Sequence, residues 1–122
     1  MIRFCITAVF IALPGLAGAQ PYSESMADCA AFYQNAAQWI RSDEKAETLL
    51  EATRAWHAAA LNQAQREGRP LNEDALWDRI DGKTTDLEAR GSMFLMSEEF
   101  RDWAGYCRKF GKSQGIPALN SG

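Results

Sequence analysis

Cys29 and Cys107 constrain this chain more than any other pair of residues. They stand 78 positions apart and each falls on the apolar stripe of a helix-period segment, one in the first such segment and one in the last. A disulfide needs Cα atoms about 5.5 Å apart. If the two sulfurs join, the first and last helices must be neighbours, and an up-and-down four-helix bundle is the simplest architecture that makes them so.

Whether they join depends on the compartment, and the N-terminus speaks to that. Met1–Ala19 reads MIRFCITAVFIALPGLAGA. Arg3 gives a positive start, Phe4–Leu13 is an apolar run, Pro14-Gly15 breaks it, and Ala17-Gly18-Ala19 supplies small residues before Gln20. This is the pattern of a cleaved export signal. A spanning helix needs about 20 apolar residues without such a break. Residues 1–19 are therefore expected to be removed, leaving no membrane insertion afterwards. Cys5 lies inside the apolar run and leaves with it, so it is not a lipidation site at the new terminus. Two of the three cysteines remain, and in an oxidising compartment an isolated pair reads as a disulfide. The expected location is the periplasm or the exterior. A catalytic redox pair would more commonly be spaced Cys-x-x-Cys.

Removal of Arg3 makes the net charge of −3 one unit more negative. No basic patch stands out, which argues against nucleic acid as a partner. About 100 residues remain, enough for one domain and one modest core.

Past Gln20 there is no sustained apolar/polar alternation, and period-3.6 patterns dominate. The expected fold is all-α. The first helix is expected over about Ser23–Arg41, with Ser23 or Ser25 as its cap and Met26, Cys29, Ala30, Tyr33, Ala36, Ala37 and Ile40 as its stripe. The second is expected over about Asp43–Glu67, capped by Ser42 or Asp43 and stopped by Gly68 with Pro70 beyond. Its length corresponds to about 36 Å. The third follows Asn72, carries Leu76, Trp77, Ile80, Thr84 and Leu87, and stops near Gly91. Asp81-Gly82 in its middle is a point where it could break into two. The fourth follows Ser97, carries Phe100, Trp103, Ala104, Cys107 and Phe110, and is expected to close at Gly111. Met93–Met96 before it reads as an extra turn tucked under the bundle or as a backward extension of the helix. The domain is thus placed at residues 20–111, with residues 112–122 as a flexible tail.

Chemistry is sparse. His57 is the only histidine, and its helix neighbours Arg54 and Leu61 offer no carboxylate to orient it. One histidine, with the cysteines consumed, leaves no zinc set. Haem is the one cofactor that the residue types allow, with His57 opposite Met26, Met93 or Met96. Without Cys-x-x-Cys-His it could only be held noncovalently. Met93-x-x-Met96 as a copper site has less to recommend it than ordinary packing. Gly82-Lys83-Thr84 resembles the end of a phosphate loop, but Trp77 stands where the first glycine is required. Asp78, Asp81-Gly82 and Asp86 fail as a calcium loop because Trp77 and Arg79 occupy ligand positions. The acidic residues of the third helix, interleaved with Arg79, Lys83 and Arg90, read as a solvated face.

Trp39, Trp56, Trp77 and Trp103 fall one per helix. The last three lie on apolar stripes and read as core, while Trp39 sits at a stripe edge and is the candidate for a partner-binding surface. With no paired catalytic groups and no metal set, the expectation is a noncatalytic exported protein. It would bind another periplasmic or secreted protein as an accessory subunit, inhibitor or immunity factor and need no cofactor. The alternative is a small-ligand or b-type haem carrier built on His57, Met26 and Met96.

Overall fold

A computed structural model describes residues 20–116 of the chain; residues 1–19, expected as an export signal, and residues 117–122, expected as part of a tail, lie outside the described residues. Among the described residues four α-helices follow in order: α1 (Tyr22–Trp39), α2 (Asp43–Arg66), α3 (Glu73–Glu88) and α4 (Glu98–Ser113). A 3₁₀ turn, Ser92–Met96, precedes α4. The protein is an all-α bundle in which a Cys29–Cys107 disulfide, with Cα atoms 5.7 Å apart, ties the first helix to the last. Both cysteines are buried.

The helix starts follow side-chain chemistry. Ser42 accepts from the Lys45 N–H at 3.3 Å, Asn72 from the Ala75 N–H at 2.6 Å and Ser97 from the Phe100 N–H at 3.1 Å. Each satisfies an otherwise orphaned donor of the first turn. The start of α1 departs from expectation. Its cap position is Pro21, which makes no side-chain cap bond, and Ser23 and Ser25 lie buried within the helix. The capping function comes from another helix. Glu67, at the end of α2, accepts from the Ser23 N–H at 3.2 Å and from the Ser23 hydroxyl at 2.5 Å. A carboxylate at this end of α1 also complements the helix dipole. The other end of α1 stops two residues short of Arg41, because Ile40 adopts an extended conformation.

Asp81-Gly82 does not break α3, which is continuous from Glu73 to Glu88. A glycine in a helix interior costs about 1 kcal/mol, and the burial of Leu76, Ile80, Thr84 and Leu87 along one stripe outweighs it. Gly68 and Gly91, with φ of 75° and 74°, turn the chain after α2 and α3 as their positions suggested. Gly111 does not close α4. The helix runs on to Ser113, and the positive-φ glycine that ends it is Gly115. The ordered domain therefore extends past 111, and Ile116 packs against the core.

α1 is the axle of the bundle. It packs most extensively on α2, then on α3; its contact with α4, where the disulfide lies, is about as small as that between α2 and α3. Its burial is accordingly not confined to a stripe. Ala27, Ala31, Phe32 and Asn35 are buried together with the expected Met26, Ala30, Tyr33 and Ala36. Alanine and serine on several faces let neighbours approach closely, and Met26, Phe32 and Tyr33 fill the space between. Tyr22 meets Phe110 at 5.4 Å and Phe32 meets Phe100 at 4.8 Å, so α4 runs antiparallel to α1. Trp56 of α2 is the largest fully buried side chain. Of Met93–Met96 only Phe94 tucks in, and Met93 and Met96 stand out in solvent.

Candidate binding face

α4 places Trp103, Tyr106 and Phe110 at spacings of three and four, on one flank of the helix. Their rings touch in series. Trp103 and Tyr106 are 5.9 Å apart, Tyr106 and Phe110 5.7 Å, and Phe110 hands on to Tyr22 of α1. All of these contacts are edge-on, the arrangement that the aromatic quadrupole favours. The ridge is anchored from below. Phe32 stacks on Trp103 with centroids 6.4 Å apart, and Trp56 meets Phe110 at 5.4 Å. Its outer members remain open, with Tyr22 58% and Tyr106 46% exposed.

Beside Trp103 a cleft of about 60 Å³ opens between α3 and α4, floored by Asp28 and Phe32 of α1 and walled by Lys83 and Arg90. The Lys83 ammonium stands 5.9 Å from the Trp103 ring centre, within cation–π range. Arg90 pairs with Glu99 at 2.7 Å and Arg79 with Glu24 at 3.6 Å. Arg79 and Lys83 of α3 and Arg90 of the turn after it thus reach to neighbouring elements. A second cleft, of about 130 Å³, lies at the opposite end of α1 and α3, between Ser23, Arg69, Leu71, Leu76 and Arg79.

The residues singled out from sequence scatter. Trp39 is 38% exposed at the end of α1, its indole N–H donating to Asn35 Oδ1 at 3.3 Å. It lies outside the α4 ridge. His57 is buried, with its ring stacked on Trp77 at 4.1 Å and its Nε2 without a partner. Met26 is buried in the core, while Met96 is 77% exposed. None of these four lines either cleft. Among the described residues, no group of three or more His, Cys, Asp or Glu side chains gathers to hold a metal ion. No described helix is long and apolar enough to cross a membrane. Trp77 and Trp103, expected as core, are only partly buried; Trp77 covers His57, and Trp103 forms the wall of the cleft.

Among the described residues, Tyr33 and Glu67 have clearly shifted titration. Burial pushes the Tyr33 phenol above its ordinary range, partly opposed by the Arg108 cation. Burial also acts to raise Glu67, but the Ser23 hydroxyl, the Gln63 amide, the Ser23 backbone N–H and Arg69 together hold it below the usual carboxylate range.

Tyr22 and Tyr106 were not singled out from sequence. Tyr106 was legible as the member between Trp103 and Phe110 of a three-four pattern, and Tyr22 joins the ridge only through the antiparallel pairing of α1 with α4. Compared with known proteins, the chain matches no family model, no curated protein and no solved structure.

Proposed function

We propose that this chain is a small exported helical protein, noncatalytic, that acts by binding another exported protein, with the periplasm as its place of work. The observation that carries the reading is the half-exposed ridge of Trp103, Tyr106, Phe110 and Tyr22. Large amphipathic rings already fixed by neighbours lose little entropy on binding, and Trp and Tyr dominate the energetic centres of interfaces. The ridge sits next to Cys107, so the covalent tie to α1 holds it rigid. The leader and the cysteine pair support export.

The test uses the disulfide-bonded chain as bait in a periplasmic extract, in parallel with a Tyr22→Ala/Tyr106→Ala variant. One stoichiometric partner is expected, its affinity falling by about tenfold or more in the variant. A partner held equally by both proteins, or none in repeated trials, overturns the reading.

A further inference from the structure

We propose that Gln20, once it is the first residue, closes to pyroglutamate with Asp28 as the acid–base group. This rests on the export reading, which places cleavage between Ala19 and Gln20. The structure adds what the cleavage pattern cannot. The Gln20 side-chain amide does not hang free. Its Nε2 donates to Asp28 Oδ2 at 2.9 Å and to Ser25 Oγ at 3.2 Å, both from the first turns of α1. The nitrogen that must leave in cyclisation is therefore already seated on a carboxylate.

The chemistry closes without any other reactant. The α-amine of Gln20 attacks its own Cδ, forming an N–Cδ bond and a five-membered lactam. The Cδ–Nε2 bond breaks, the proton shed by the amine ends on Nε2, and one ammonia departs. A carboxylate touching Nε2 can take the proton from the one nitrogen and deliver it to the other, the role of a positioned general acid–base group. The fold also closes the competing route. The other carbonyl within short reach of the amine is that of Pro21, where attack would expel a cyclic dipeptide. That carbonyl accepts from the Glu24 N–H at 3.0 Å and the Ser25 N–H at 3.2 Å, so attack there would dismantle the first turn of α1. Cyclisation removes a charged amine and leaves an end that ordinary aminopeptidases do not open. It also frees the Asp28 carboxylate from Nε2 at the floor of the α3–α4 cleft.

The measurement starts from a fusion cut immediately before Gln20, with the disulfide formed. Loss of the free amine and of one ammonia is followed by amine labelling and intact mass at neutral pH. The folded chain is expected to cyclise at least about tenfold faster than the same chain in urea, and Asp28→Asn to bring the folded rate down to the unfolded one. A folded rate no faster than in urea, or one unchanged by Asp28→Asn in a variant whose helical content is intact, overturns the proposal. For the chain exported by cells, a mass starting at Gln20 and short of one ammonia supports it. A Gln20 start with a free amine overturns cyclisation alone. A different first residue overturns the cleavage reading and, with it, the proposal for the exported protein.

Discussion

Gly111 of α4 lies against the indole of Trp56: a Cβ built on this glycine would stand 3.1 Å from Cζ2. Trp56 is 2% exposed and is held from the side by Phe110, so it has little room to yield. Gly111→Ala should therefore lower stability by about 1 kcal/mol, overpacking outweighing the gain in helix propensity. Gly105→Ala, in the same helix with nothing within 4 Å of the new Cβ, should raise it by up to about 1 kcal/mol. Urea unfolding of the two oxidised variants checks the pair. A stabilised Gly111→Ala would show that Trp56 can move.

Reduction of Cys29–Cys107 should cost about 4 kcal/mol on the chain-entropy estimate for a loop of this length. For a domain of this size that is a large share of the whole. The midpoint of urea unfolding with and without reductant measures it. Labelling of the denatured, unreduced protein should find no free thiol at either position.

His57→Phe should leave stability unchanged or raise it by about 1 kcal/mol. The substitution keeps a flat ring against Trp77 and removes a buried nitrogen that has no partner. His57→Ala should cost about 2 kcal/mol, since it forfeits the stacking and leaves a void. Thermal unfolding of both variants separates the contribution of the ring from that of its nitrogen.

Glu67 should make the protein acid-sensitive. Its folded pKa lies below its unfolded one, so the stabilisation is complete above the ordinary carboxylate range and is lost as pH falls through the folded value. Glu67→Gln should flatten that acid limb of the stability profile while lowering stability at neutral pH. Tyr33 has the opposite sign at the alkaline end. Its folded pKa is raised, so stability declines once pH rises into the ordinary phenol range. Urea midpoints across the acid and alkaline limbs, for the parent and Glu67→Gln, check both slopes.

What was legible in the sequence was whatever depends on near neighbours along the chain. Ser42, Asn72 and Ser97 cap the helices they precede, because a cap is a bond across three residues. Gly68 and Gly91 turn the chain where the apolar period stops. The cysteines were readable at long range only because covalent chemistry leaves few choices. Ser23 misled for the reverse reason. Its neighbours suit a cap, but its partner is Glu67, 44 residues away. Gly111 resembled a helix end, yet it is small because Trp56 presses on it from another helix. The candidate face divides in the same way. Trp103 and Phe110 were visible as a stripe, whereas the ridge exists only because α4 lies antiparallel on α1 and brings Tyr22 to Phe110. Trp39, the surface residue the sequence offered, is exposed at the end of α1, away from the ridge, and its indole N–H donates to Asn35 within its own helix.

The central place of α1 fixes an order of events in time. Of the described helices it is synthesised first, and α2, α3 and α4 each pack on it. A nascent chain that has delivered α1 and α2 still presents the faces meant for α3 and α4, and the Cys107 that pairs with Cys29 lies 78 residues further on. The contacts that complete the core join segments far apart in sequence, and closing such loops carries the larger entropy cost. Until then the unfinished chain carries exposed apolar surface, the condition under which a chain is open to aggregation.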